Sequence, residues 1–251
     1  MSPLIIANWK MQLSVSESVA LAESVRAYDQ RTGELVLCPS FLALPAVAEA
    51  LAGSGVALGA QDCGWSERGP FTGAVSPSDL AAFGCAYVLL GHSERRIHFG
   101  ETDAMVGQKV AAALRAQLQP VICVGETEQE WRAGQREAVL LRQLTAVCSG
   151  VTLVGAQLLV VAYEPVWAIG TGQAATPEDI ASTHAYIADV VGELLGISRD
   201  ARVRVVYGGS VDAENVRSCM AQEHVDGVLI GSASQRADRL QGVWAAVTAN
   251  A

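Results

Sequence analysis

The chain has 251 residues, of which 51% are hydrophobic and 17% charged, with a formal net charge of -9 at pH 7. This composition supports a large buried core and argues against disorder, and the acidic balance argues against nucleic acid or an anionic membrane as a partner. No stretch reaches the roughly 18 apolar residues of a membrane span, and Asn8, Trp9 and Lys10 interrupt any signal-peptide pattern at the start.

Short apolar runs alternate along the chain with longer stretches of helical periodicity. The periodic stretches include residues 104–118, 130–147 and 178–195, in which apolar residues recur at i, i+3, i+4 and i+7. The apolar runs, which we interpret as strands, are residues 4–8, 34–38, 56–61, 87–91, 120–125, 158–164, 202–208 and 227–231.

Repeated strand-then-helix units predict parallel strand pairing, because two parallel strands need a crossover connection. The runs are apolar throughout, as expected of strands that are buried on both faces. Eight units fit an α/β fold of the closed (β/α)8 barrel type, with outer helices, better than an open doubly wound sheet. No linker divides the chain, so we expect a single domain over residues 1–251.

Polar residues collect at the ends of the predicted strands. Active sites of (β/α)8 barrels lie at the carboxyl-terminal ends of the strands, so we expect these residues to share one rim. In chain order they are Asn8, Lys10, His92 to Arg96, Glu126, Glu164, Gly208 to Ser210, Gly231 and Ser232.

Three of these residues suit acid–base chemistry. Glu164, beside Trp167 and Ile169, is expected to lose solvation and gain pKa, as a general base requires; a rim glutamate paired with an arginine is the alternative. His92 precedes a helical turn, which favours a neutral, hydrogen-bond-donating ring, although most single histidines are ordinary packed residues. Lys10 is either simply solvated or attracts an anionic substrate.

Two glycine-containing segments, YGGSV (207–211) and GVLIGSAS (227–234), follow the seventh and eighth strands. Glycine lets the backbone approach a ligand, and the loops after strands seven and eight are the frequent phosphate site of such barrels. Glycine at a strand end also serves turns, so only the two segments together indicate a phosphorylated ligand.

The sequence shows no metal or cofactor motif. His98, His184 and His224 have no metal-ligand spacing, and no nicotinamide or flavin signature occurs. The six cysteines include no CxxC pair and are expected to be reduced thiols of a cytoplasmic protein. A base, a neutral donor, a cation and a phosphate site together predict proton abstraction next to a carbonyl, as in aldose–ketose interconversion.

Five motifs closely resemble the triosephosphate isomerase family: NWK (8–10), GHSERR (91–96), CVGE (123–126), YEPVWAIGTG (163–172) and YGGSV (207–211). The resemblance spans the whole chain in order. It implies a cofactor-free, cytoplasmic enzyme of glycolysis and gluconeogenesis that interconverts D-glyceraldehyde 3-phosphate and dihydroxyacetone phosphate through an enediolate. The pairing of a glutamate base with a neutral histidine is this family's familiar scheme.

The resemblance also implies roles for single residues. Glu164 would move the proton between carbons 1 and 2, and neutral His92 would act on the two oxygens. Asn8 and Lys10 would hold the substrate, with Glu94 in support. Ile169 and Leu229 would wrap the carboxylate in apolar surface. The phosphate donors would be Gly170, Ser210, Gly231 and Ser232.

A lid is implied by the same resemblance. It would close over the substrate, exclude water and prevent loss of phosphate from the enediol, and Tyr207 would steady its closed form. Its first hinge, tip and second hinge would comprise Pro165, Val166, Trp167, Ala168, Ile169, Gly170, Thr171, Gly172 and Gln173.

The loop at 63–73 carries Trp65 and Phe71 among glycines, and exposed apolar side chains of this kind often mark association. In the resembled family this loop enters a neighbouring subunit and places the residue matching Thr72 near that subunit's Asn8 and His92. A homodimer is therefore expected.

The chain departs from the family's pattern at three positions. Ala74 stands where glutamate is usual, so a pair with Arg95 across the dimer would be missing. Ser232 replaces a glycine at the phosphate site, and Gln173 replaces a lysine of the second lid hinge. Two alternatives stay open: a relative that acts on a four-carbon sugar phosphate, and a non-catalytic sugar-phosphate-binding barrel.

Overall fold

The computed structural model describes residues 2–155, 157–169, 175–198 and 202–249. Eight parallel strands pair in chain order and the last pairs with the first, which confirms the predicted (β/α)8 barrel. The strands are β1 Leu4–Asn8, β2 Glu34–Cys38, β3 Ala57–Ala60, β4 Cys85–Leu90, β5 Gln119–Val124, β6 Leu159–Tyr163, β7 Val203–Tyr207 and β8 Gly227–Ile230.

Strand ends differ from the predicted ones by no more than two residues. The largest difference is at β4, which begins at Cys85 and not at residue 87. β6 ends at Tyr163, one residue before Glu164. The Glu164 N–H nevertheless donates to the carbonyl of Val124 at 2.7 Å, so the Glu164 side chain leaves from a fixed point at the strand end.

Helices follow the strands around the outside of the barrel. Two 3-10 turns, Val166–Ala168 and Ser232–Ser234, follow β6 and β8. The α-helices are α1 Val15–Val25, α2 Leu44–Leu51, α3 Pro77–Ala82, α4 Ser93–Phe99, α5 Asp103–Arg115, α6 Glu128–Arg132, α7 Arg136–Cys148, α8 Pro177–Leu195, α9 Val216–Met220 and α10 Ala237–Thr248.

The single helix predicted over 130–147 is wrong, because two helices, α6 and α7, occupy this stretch. Gly134 lies between them with φ of +68°, a left-handed conformation that glycine adopts without a Cβ penalty. The ring of Trp131, in α6, stacks on that of Trp167 with 4.5 Å between centroids.

Apolar side chains form one layer inside the barrel and another beneath the helices. The inner layer runs from Leu4 of β1 to Leu229 of β8. At the amino-terminal mouth, Arg204 Nη1 donates to Glu34 Oε2 at 2.9 Å, and the Tyr87 hydroxyl donates to the same carboxylate. Polar side chains therefore close this mouth, opposite the predicted rim.

All six cysteines are buried as free thiols. Burial raises the pKa of Cys63 and of Cys85 to about 12, so these two thiols stay protonated at neutral pH. In the part of the chain that the structure describes, no helix has the length and apolar character to span a bilayer, and no set of three or more His, Cys, Asp or Glu residues is arranged to hold a metal ion.

Candidate active site

Most of the predicted rim residues line one cleft of about 690 Å³ at the carboxyl-terminal ends of the strands, whereas Ser93, Arg95, Arg96 and Glu126 do not. Gly170 and the lid residues 171–173 lie outside the described residues. Each remaining residue predicted to act on or bind the substrate lines this cleft: Asn8, Lys10, His92, Glu94, Glu164, Ile169, Ser210, Leu229, Gly231 and Ser232.

Glu164 and His92 meet across the cleft. Glu164 Oε1 lies 3.1 Å from His92 Nε2, and both side chains are buried. The Ser93 backbone N–H points at Glu164 Oε2 from 3.4 Å. A Cβ at position 208 would lie 2.7 Å from Cγ of Glu164, so Gly208 makes room for the carboxylate arm. Two elements distant in sequence, β4 and β6, thus deliver a facing carboxylate and imidazole.

The pKa of Glu164 is set by two opposing effects. Burial raises the pKa of Glu164, while the charge that His92 carries when protonated, its hydrogen bond and the Ser93 N–H lower it. With a protonated ring the net shift is downward, so the raised pKa expected from the sequence is wrong for that state of the pair. The sequence indicates that Glu164 is buried, but it does not show that His92 lies beside the carboxylate.

The His92 ring is held in one tautomer by the start of α4. Burial lowers the pKa of His92, while the Glu164 carboxylate raises it and gives a net upward shift. The Glu94 backbone N–H, however, donates to His92 Nδ1 at 3.2 Å. A proton on Nδ1 would set two donors against each other there. We therefore assign a neutral ring with its proton on Nε2, because the hydrogen-bond geometry constrains Nδ1 directly.

Lys10 occupies a strained backbone position at the cleft. Its φ is +53°, a conformation that costs a residue with a Cβ about 1 kcal/mol or more and that clusters at functional sites. The side chain of Asn8 accepts the Lys10 N–H at 3.0 Å, and the Gln61 amide donates to the Lys10 carbonyl at 2.8 Å. Lys10 Nζ lies 2.6 Å from Glu94 Oε1. Gln61, for which the sequence offers no signal, helps fix the Lys10 backbone in place.

The loops after β7 and β8 form the opposite end of the cleft. Ser210 Oγ donates to the Ala168 carbonyl at 2.6 Å, which ties the loop after β7 to the start of the predicted lid tip. Ser232 begins a 3-10 turn and is not among the described residues with positive φ. A serine therefore fits where the resembled family has glycine.

Two buried groups anchor the chain at the two ends of the predicted lid. Trp167 Nε1 donates to Glu126 Oε1 at 2.9 Å, and the Tyr163 hydroxyl donates to the same oxygen at 3.1 Å. Beyond the undescribed residues, the Ala175 N–H donates to the Tyr207 hydroxyl at 3.0 Å. From its sequence position, Glu126 was expected on the rim, but no role was assigned to it. Its place just after β5, next to the strand that precedes Trp167, could have indicated this hydrogen bond.

The loop at 63–73 exposes part of Trp65 and Phe71, whose rings meet edge-on with centroids 5.5 Å apart. Thr72 is exposed beside them. Arg95, whose pair across a dimer was expected to be missing because of Ala74, has a partner within its own chain: Arg95 Nη2 lies 2.8 Å from Asp62 Oδ2. Asp62 thus supplies a carboxylate for Arg95 without a second subunit.

A carboxylate, a neutral imidazole and an ammonium on the rim of a (β/α)8 barrel define an enzyme that moves protons on a small bound substrate. A family profile described as triosephosphate isomerase matches residues 3–247. The chain belongs to the triosephosphate isomerase family and is an intramolecular aldose–ketose isomerase.

Individual relatives agree. Triosephosphate isomerase of Roseiflexus castenholzii is 44% identical over 239 residues, 94% of each chain. That of Herpetosiphon aurantiacus is 45% identical over 237 residues, 94% of this chain and 95% of the relative. The crystal structure of triosephosphate isomerase from Bartonella henselae superposes with a TM-score of 0.87 at 35% identity, covering 98% of this chain and 99% of that one. These relatives do not favour the four-carbon alternative.

Proposed function

We propose that Glu164, His92, Lys10 and Asn8 carry out the interconversion of D-glyceraldehyde 3-phosphate and dihydroxyacetone phosphate. The proposal rests on the 3.1 Å approach of Glu164 Oε1 to His92 Nε2 inside one cleft. A small substrate that enters between these groups can meet the base on one edge and the donor on another.

Glu164 removes a proton from the carbon next to the carbonyl, and His92 Nε2–H hydrogen-bonds the carbonyl oxygen as it gains negative charge. A hydroxyl proton then passes between the two oxygens of the enediolate beside His92, so that the carbonyl forms on the first carbon. Glu164 returns its proton to the neighbouring carbon, which completes the isomerisation. When His92 donates to substrate, Glu164 loses the bond that lowers its pKa while its burial remains. The pKa of Glu164 then rises, which strengthens the base at the moment it is needed.

Lys10 and the phosphate end complete the proposed site. The Lys10 ammonium, fixed by Glu94 at 2.6 Å, offsets the charge of the enediolate. The backbone around Ser210, Gly231 and Ser232 lines the other end of the cleft, where it binds the phosphate. Gly170 is proposed as a further donor by resemblance alone.

The segment after β6 acts as the lid in this proposal. Its first hinge is tied to Glu126 through Trp167 at 2.9 Å, and the start of its tip is tied to Ser210 through Ala168 at 2.6 Å. Closure replaces such contacts with contacts to the bound phosphate, and Ile169 and Leu229 then cover the carboxylate with apolar surface.

A homodimer is proposed from the exposed apolar side chains. Most of the exposed large apolar side chains follow β1 to β4 in turn, so they belong to four neighbouring units on one side of the barrel. Those after β1 to β4 are Met11, Val15, Phe41, Leu42, Trp65, Phe71, Phe83, Ile97 and Phe99.

A cytoplasmic location fits the buried free thiols.

A coupled assay with D-glyceraldehyde 3-phosphate tests the proposal. We expect turnover without added cofactor, competitive inhibition by phosphoglycolate, and much slower turnover of a four-carbon sugar phosphate. Phosphoglycolate binding without turnover would instead support the non-catalytic sugar-phosphate-binding barrel.

A further inference from the structure

Arg239 lines the same cleft but has no part in the site described so far. It is exposed and lies in the first turn of α10, directly after the loop that carries Gly231 and Ser232. Among the described residues, no carboxylate lies within ion-pair distance of Arg239. Its neighbour Arg236 does have a partner, since Arg236 Nη2 lies 3.1 Å from Asp238 Oδ2.

Helix stability does not account for Arg239. The amino-terminal end of a helix carries partial positive charge, so a cation in the first turn is unfavourable, whereas Asp238 in the same turn is favourable. The Arg239 guanidinium opposes the helix dipole and has no carboxylate within the described ranges to offset its charge, so we infer that its role is to bind a ligand.

The charges around the cleft indicate which ligand. Lys10 is already paired with Glu94, and Asp212 and Glu214 add two further carboxylates after β7. The predicted phosphate donors are neutral backbone groups. The phosphate dianion of the substrate therefore approaches an acidic chain through a cleft in which Glu94 already offsets the charge of Lys10. Arg239 supplies positive potential that attracts the dianion.

We propose that Arg239 is a specificity-determining residue that attracts and holds the phosphate dianion of the substrate. The inference rests on the proposed phosphate end of this cleft. Because Arg239 acts on the charge of the substrate and not on the reacting carbons, it strengthens binding of the ground state and the transition state alike. Its loss therefore raises KM and leaves kcat unchanged.

Steady-state kinetics of Arg239→Gln and Arg239→Lys test the proposal, with Arg115→Gln as the matched control. Arg115 ends α5 outside the cleft, and its substitution makes the same change in net charge. For Arg239→Gln we expect KM for D-glyceraldehyde 3-phosphate and Ki for inorganic phosphate to rise about fivefold at low ionic strength, as for one cation near a dianion in a hydrated cleft. Arg239→Lys should recover most of the affinity.

Salt provides the second readout. The difference between wild type and Arg239→Gln should shrink toward nothing near 1 M salt, where the screening length is about 3 Å. Equal KM values for Arg239→Gln and Arg115→Gln at low salt would overturn the proposal, as would a KM increase that high salt leaves intact. An inactive wild-type protein would instead contradict the proposed function.

Discussion

Glu164→Gln is the substitution that separates catalysis from structure most sharply. The amide keeps the size of the carboxylate and still accepts the bond from His92, but it cannot take a proton from carbon. Removing a general base costs about 10² to 10⁴ in kcat, which is about 3 to 5 kcal/mol of barrier. The amide NH2 then faces the Ser93 N–H, which lay 3.4 Å from the lost oxygen. One mismatched donor costs about 1 kcal/mol of stability, too little to unfold the chain.

The assay is the coupled turnover of D-glyceraldehyde 3-phosphate, with phosphate affinity and urea unfolding measured on the same samples. Glu34→Gln is the control, because it makes the same chemical change to a carboxylate at the opposite mouth of the barrel. The control should lose about 1 to 2 kcal/mol of stability, as the Arg204 pair weakens, and keep its kcat. If Glu164→Gln retained turnover within about tenfold of wild type, Glu164 would not be the base.

Four further results are expected. His92→Gln should lower kcat by about 10² to 10³ with little change in KM, because it removes an oriented donor to the developing oxyanion; an unchanged kcat would exclude that role. Trp167→Phe removes the hydrogen bond from Trp167 Nε1 to Glu126 and should change kcat/KM by less than about tenfold. Trp131→Phe keeps this hydrogen bond and should change kcat/KM less. Burial lowers the pKa of His184 from 6.5 to about 4, so the stability that the neutral ring contributes is complete above pH 6.5 and is lost as pH falls toward 4. The free energy of unfolding should therefore be about 2 kcal/mol lower at pH 5 than at neutral pH, and urea titrations of His184→Gln should show a weaker dependence of that free energy on pH. Phe99→Lys should move the sedimentation mass toward the monomer, and a native mass equal to that of one chain in wild type would refute the dimer.

The barrel was predictable because its pattern is repetitive. Eight apolar runs buried on both faces, each followed by a helical period, leave few other arrangements for a chain of this length. The failure at 130–147 has a local cause: Gly134 is tolerated within a helical period, and only its φ of +68° shows that the helix ends there.

Site membership followed from position, since strand ends of a closed barrel must meet at one rim. The electrostatics did not follow, because they depend on distances between residues far apart in sequence. The 3.1 Å contact with His92 lowers the pKa of Glu164, against the rise expected from burial alone, and Asp62 gives Arg95 a partner that the sequence did not indicate. Both effects arise from side-chain contacts that no spacing rule reports.

A crystal structure with bound phosphoglycolate would show directly whether Glu164 and His92 act on one substrate. We expect the inhibitor's carboxylate within hydrogen-bond distance of both side chains, with its phosphate against the loops after β7 and β8. An inhibitor that touches only one of these two side chains, or that binds outside the cleft, would show that they do not act together.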